Sequence, residues 1–211
     1  MKLKICGLRD PENIRAVLDL QPDFVGFIFY EKSPRFVDEA FDLSGIDFGK
    51  TKKVGVFVDA HESFVFEKIE RHGLEIAQLH GSESPDFCRS IRQKALVFKA
   101  FGMDENFDFP VLENYRAVVD CFLFDTKTTT HGGSGRPFDW SVLKKIPPNL
   151  SWILSGGLSL ENLENLDSFF ENQDLPRPFS LDVNSRFELA AGLKDIGKLK
   201  ILINRLLIRV R

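Results

Sequence analysis

The chain has 211 residues, 43% hydrophobic and 28% charged, enough apolar content for a globular core, and its net charge of −3 excludes the broad basic field of a nucleic-acid binder. Three widely spaced cysteines, Cys6, Cys88 and Cys121, with no Cys-x-x-Cys, argue against a disulfide framework and against a zinc site. No signal-type segment opens the sequence and no run of 18 apolar residues crosses it, so a reducing cytoplasm, away from membranes, is the expected setting.

Short apolar runs alternate with longer amphipathic stretches in eight cycles. Strands are expected at 2–6, 24–29, 53–58, 75–79, 96–101, 118–125, 151–155 and 178–182. The runs Phe24-Val25-Gly26-Phe27-Ile28-Phe29 and Lys53-Val54-Gly55-Val56-Phe57-Val58 are short and nearly unbroken, the pattern of strands covered on both faces. Asp10-Pro11-Glu12 and Ser84-Pro85-Asp86 each supply a cap, a first-turn proline and an acid for a following helix, and Ser159 with Glu161 is expected to do the same. The weakest cycle is the second, where residues 37–50 are rich in Asp and Gly and a short helix is expected. The last helix shows an apolar stripe at Ile196, Leu199, Ile203, Leu206 and Val210. Lys194, Lys198, Lys200, Arg205, Arg209 and Arg211 read as its solvated face. With 21 Phe against two Tyr and two Trp, much of the core must be rings without a polar handle.

Strand–helix alternation implies right-handed crossovers and a parallel sheet. Eight repeats favour an α/β fold closed as a single-domain (β/α)8 TIM barrel, residues 1–211, over an open doubly wound sheet. In such a barrel the chemistry collects at the carboxyl ends of the strands. Cys6, Asp125 and Asp182 end the first, sixth and eighth strands. Ser33-Pro34-Arg35 follows the second, Gln78-Leu79-His80-Gly81 closes the fourth and Ser155-Gly156-Gly157 the seventh. Singly these are weak signals, since a strand-end Cys more often packs and a strand-end Asp often caps a helix.

Taken in order, Lys4-Ile5-Cys6-Gly7, Lys32-Ser33-Pro34-Arg35, Val54-Gly55-Val56-Phe57, Gln78-Leu79-His80-Gly81, Leu123-Phe124-Asp125-Thr126, Gly132-Gly133-Ser134-Gly135 with Phe138-Asp139-Trp140, Ser155-Gly156-Gly157-Leu158, Asp182-Val183-Asn184-Ser185 and Gly192-Leu193-Lys194-Asp195 form a set spanning nearly the whole chain. This set resembles the phosphoribosylanthranilate isomerase family of tryptophan biosynthesis. The resemblance implies a cofactor-free Amadori rearrangement of N-(5'-phosphoribosyl)anthranilate to the corresponding ribulose phosphate, with no metal. A general acid protonates the furanose oxygen, the ring opens to an iminium, and a general base removes the C2' proton to give an enolamine that becomes the ketone. By resemblance Asp125 is the acid and Cys6 the base.

Geometry permits this pairing. In an eight-strand ring of roughly 7–8 Å radius the first and sixth strands are three steps apart, and their backbones face each other across roughly 14 Å, leaving room for one sugar ring. Lys4 shares the parity of Cys6, so it either favours a thiolate or reaches solvent at the barrel floor. Cys121 and Leu123 share the face of Asp125, an apolar setting that would favour its protonated form. Phosphate is expected at Gly156 and Gly157 and at Asn184, Ser185 and Arg186, which could begin a short extra helix. Here the chain departs from the family's Asp-Val-Ser-Ser-Gly-Val-Glu, reading Asp182-Val183-Asn184-Ser185-Arg186-Phe187-Glu188, and Ala191 stands where proline is usual. Arg35 is the expected partner of the anthranilate carboxylate, by bidentate hydrogen bonding. Asp182 is expected to hold sugar hydroxyls or orient its loop, His80 to support the reacting groups through a hydrogen bond, and Thr126–Pro137 to act as a lid. The partner implied is a small phosphoribosyl substrate, and the chain works as a monomer or homodimer. A related phosphosugar isomerase of the histidine pathway, a dual-specificity enzyme and a non-catalytic barrel scaffold are the alternatives.

Overall fold

The computed structural model describes residues 1–126, 140–147, 149–173 and 177–208, and in it eight parallel strands close into a barrel. They are β1 (Lys2–Cys6), β2 (Phe24–Ile28), β3 (Lys52–Phe57), β4 (Ile76–Leu79), β5 (Leu96–Met103), β6 (Cys121–Thr126), β7 (Trp152–Leu154) and β8 (Ser180–Val183). β1 closes the ring by pairing with β2 and β8, which sets Lys4 beside Phe24 on one side and Asp182 on the other. Side chains alternate across each strand. Phe24, Val54, Ile76, Phe98, Leu123 and Ile153 fill the lower barrel, while Val25, Phe27, Leu79, Val97, Phe122 and Phe124 belong to the layer between strands and helices. Phe24 and Phe98 meet edge to face at 5.7 Å. Lys2, not Lys4, takes the floor, its ammonium 5.4 and 4.8 Å from the Phe24 and Phe179 ring centres.

The described residues include five α-helices: α1 (Pro11–Leu18), α2 (Glu62–His72), α3 (Pro85–Ile91), α4 (Leu163–Gln173) and α5 (Ile196–Ile208). Asp10 and Ser84 cap α1 and α3, accepting from the backbone of Asn13 at 2.7 Å and of Phe87 at 3.2 Å. The expected cap at Ser159 is corrected: α4 begins only at Leu163, and the Asn162 side chain bridges Ser159 N and Gly157 O before it.

The second cycle has no helix. Asp38, Asp42 and Asp47 each accept the backbone N–H two residues on, local bonds that compete with a helical ladder. Gly45 and Gly49 complete the turns at φ 72° and 52°. Phe41 packs against Phe27 with ring centres 5.3 Å apart, and Glu39 pairs with Lys68 and Arg71 of α2, so the loop covers the barrel where a helix would. The fifth and sixth cycles carry 3-10 turns, Phe109–Asn114 and Trp140–Lys145.

After β8 comes a 3-10 turn, Ser185–Phe187, the short extra helix anticipated from sequence. An unanticipated hairpin follows, β9 (Glu188–Ala190) and β10 (Leu193–Lys194). Lys194 is therefore not on a solvated helix face: it is buried in β10, and α5 starts after Asp195, which caps it through Lys198 N at 3.0 Å. In α5 the buried stripe includes Leu202 alongside Leu199. From residue 127 on, the expected lid lies outside the described residues, as do Arg209, Val210 and Arg211. Among the described residues no helix is long and apolar enough to cross a membrane.

Candidate active site

Strand parity sends Cys6 of β1, Gln78 of β4, Asp125 of β6 and Asp182 of β8 to the same end of the barrel. With His80, Ser155, Gly156, Gly157, Asn184, Ser185 and Arg186 they line one open pocket, walled by Ile28, Val56 and Tyr30. Every expected site residue except Arg35 lies on this pocket.

Lys4, fully buried, donates to Asp182 Oδ1 at 3.0 Å, and Ser155 Oγ donates to Asp182 Oδ2 at 3.4 Å. Asp182 thus spends both oxygens inside the protein, so it fixes the β1–β8 seam. Burial alone would pull Lys4 down, but Asp182 and Cys6 outweigh it and hold Lys4 above the ordinary lysine value. For Cys6 burial dominates and pushes the thiol up; Lys4 and Lys194 pull the other way, and the Asp182 charge adds to the rise. Lys4 does favour the thiolate, as expected, yet the resting form at neutral pH is the thiol. Alkylation by iodoacetamide should therefore accelerate ~tenfold per unit between about pH 7 and 9 at Cys6, the thiolate fraction rising throughout. Cys88 and Cys121, which burial pushes up to about 11 and about 12 and which lie off the pocket, should stay unlabelled until unfolding. Mass spectrometry of the labelled peptides checks this, and a flat Cys6 rate would contradict it.

Gly26, beside Cys6 in the β1–β2 register, makes room for the thiol: a Cβ there would stand 2.7 Å from Cys6 Sγ and 3.2 Å from its Cα. Gly26→Ala should displace the sulfur and lower kcat/KM about 10- to 100-fold, because misplacement near 1 Å carries that cost. Circular dichroism should show the barrel retained.

On the opposite wall, Gln78 Nε2 lies 3.0 Å from His80 Nδ1, and His80 Nε2 lies 3.5 Å from Asp125 Oδ2. The Asp125 side chain is 22% exposed, a wetter setting than the apolar mouth anticipated from its strand neighbours. Gly156 and Gly157 adopt φ of 87° and 64°, which opens the turn after β7 toward the Ser185–Phe187 turn after β8. Arg186 lines the pocket with them, its carbonyl accepting from Lys198 at 3.5 Å.

Arg35 does not line this pocket. Its Nε donates to Glu188 at 2.9 and 3.1 Å and its Nη2 at 2.6 Å, so the bidentate carboxylate partner here is internal. Lys194 completes the cluster, donating to Glu188 Oε1 at 2.7 Å and to Asn184 Oδ1 at 2.8 Å. Burial works against Glu188, but Arg35 and Lys194 outweigh it and keep its carboxyl below the usual range. Burial draws Lys194 down to about 8 despite Glu188. Gly7, at φ 80°, lets Arg35 and Asn184 pack over its bare Cα, where a Cβ would meet them at 2.6 and 2.7 Å. Sequence reasoning missed Glu188, Lys194 and the Gln78 contact. For Lys194 one signal was present: Asp195 directly after it is a cap, which puts Lys194 before the helix.

Comparison with known proteins adds independent findings. The family model for N-(5'-phosphoribosyl)anthranilate (PRA) isomerase matches residues 3–205. The N-(5'-phosphoribosyl)anthranilate isomerase of Parabacteroides distasonis is 42% identical over 214 residues, covering 98% of this chain and 94% of that one. The crystal structure of phosphoribosyl anthranilate isomerase from Thermus thermophilus superposes with a TM-score of 0.82 at 30% identity, covering 100% of both chains. A second solved isomerase, in complex with reduced 1-(o-carboxyphenylamino)-1-deoxyribulose 5-phosphate, gives 0.76 at 32% identity and 97% coverage of each chain.

Proposed function

This chain belongs to the N-(5'-phosphoribosyl)anthranilate isomerase family, and we propose that within its pocket Asp125 and Cys6 carry the two proton transfers of the family's reaction. The enzyme isomerises PRA in tryptophan biosynthesis. The observation that supports the residue roles best is that Cys6, Asp125 and the glycine-rich β7–β8 rim line one pocket.

Asp125 gives its proton to the furanose oxygen, the C1'–O bond breaks, and the ring oxygen leaves as the C4' hydroxyl. The nitrogen lone pair forms the C1' iminium. That cation acidifies the adjacent C2'–H and adds to Lys4 and Lys194 as positive charge near the thiolate. Cys6 reacts from the thiolate fraction, its own proton having gone to solvent, and takes the C2' proton. The enolamine becomes the ketone as the Cys6 thiol returns a proton to C1' and the C2' hydroxyl gives one to the Asp125 carboxylate, which restores both groups. The sequence balances in protons alone and draws on no cofactor or metal.

Gly156, Gly157, Asn184, Ser185 and Arg186 are assigned to the phosphate, with Arg186 adding a cation where the family has glycine. Arg35 is assigned to the anthranilate carboxylate, which must share its guanidinium with Glu188 or displace it. Asp182 orients the strand-eight loop, and His80 supports Asp125. The chain is proposed to work as a monomer or a homodimer. A single domain over 1–211 and a cytoplasmic setting complete the reading, the latter favoured by three buried free thiols. The decay of PRA fluorescence in the presence of the enzyme, compared with its active-site variants, tests the assignment.

A further inference from the structure

We infer that Gln78 is a positioning residue that sets the tautomer of His80, holding the imidazole proton on Nε2 where it faces Asp125. The inference rests on the role proposed for Asp125 and adds a device that serves it. A neutral imidazole has one N–H and one lone pair, and whichever group meets one nitrogen decides the other. Gln78 Nε2 stands 3.0 Å from Nδ1, and Asp125 Oδ2 stands 3.5 Å from Nε2. With the amide reversed, its oxygen would demand a proton on Nδ1. A bare Nε2 lone pair would then face the Asp125 carboxylate once its proton has gone, acceptor against acceptor. In the orientation seen, Nε2–H points at the carboxylate that proton donation creates, and a 3.5 Å contact of this kind tightens in a substrate complex.

The orientation has a cost that marks it. Gln78 is 1% exposed, and its Oε1 is buried without a hydrogen-bond partner. It is flanked in register by Val56 of β3 and Phe98 of β5. A methionine of similar length would fill this place with no orphaned oxygen. A residue kept for packing alone would not be a glutamine here, whereas one kept for its N–H to His80 must be.

The test is 15N NMR of the His80 side chain in the whole enzyme, recorded across a pH series and read on its high-pH plateau, with the signal assigned by its loss in His80→Asn. The expected wild-type spectrum is that of the Nε2–H tautomer. In Gln78→Met the signal should shift toward a mixture, kcat/KM for PRA should fall about tenfold, the equivalent of one hydrogen bond, and the melting temperature should be unchanged or higher. An Nδ1–H wild type would overturn the inference by itself. So would a Gln78→Met enzyme that keeps tautomer and turnover, or one that loses melting temperature while the tautomer stays put. Failure of Asp125 as the acid would show separately, as an Asp125→Asn enzyme that still turns over while the tautomer is as inferred.

Discussion

Cys6→Ala is expected to lower kcat/KM for PRA by about 10³-fold or more while the barrel remains folded, since a positioned base contributes on the order of 10²–10⁴ and the later steps depend on it. The thiol lies where β1 ends, at the pocket wall, with Gly26 cut back to receive it and Lys4 and Lys194 as nearby cations. Truncation removes one buried sulfur, worth about 1 kcal/mol of burial, too little to unfold a barrel of this size. Cys6→Ser should be nearly as inactive, because a hydroxyl is far harder to ionise than a thiol already pushed up by its burial. Steady-state assays beside a thermal melt check both variants. Retained activity with a normal melt would remove Cys6 from the mechanism.

Asp182→Ala is expected to destabilise the fold by about 3–5 kcal/mol, the cost of leaving a buried charge unpaired. Lys4 is fully buried and Asp182 is its partner at 3.0 Å. Against a total stability of about 5–15 kcal/mol for a typical protein, that loss is a large share. The double variant Lys4→Met/Asp182→Leu should recover most of the stability, because well-packed apolar groups replace a buried ion pair at little net cost. It should not recover activity, since Cys6 would lose the cation beside it. Urea unfolding of the three proteins separates the cases. A double variant as unstable as the single one would show that the pair matters through shape rather than charge.

Much of this architecture was legible in the residues. Short unbroken apolar runs such as Phe24–Ile28 carry the pattern of strands covered on both faces, and Asp10 and Ser84 announce their helices by local capping chemistry. The loop in place of a second helix was half legible: the Asp and Gly content was seen, but not that three Asx turns would use up the segment. What stayed hidden is long-range charge pairing. Lys4 meets Asp182 across 178 positions and Arg35 meets Glu188 across 153, and no local pattern encodes either. Parity did place Lys4 on the face of Cys6, yet it could not say that burial outweighs the lysine's pull on the thiol. Lys194 differs from expectation because a run of basic residues near a terminal helix does not show where that helix begins, and α5 starts two residues later.

The most direct test of an acid and a base facing each other across the barrel mouth is the decay of freshly generated PRA fluorescence, followed with wild type and with Asp125→Asn. The asparagine keeps the shape and a hydrogen bond to His80 but has no proton to give the ring oxygen. Rapid decay with wild type and a loss of at least about 10²-fold with the folded variant is the predicted result. Comparable decay with both would contradict the assignment and move the acid elsewhere in the pocket.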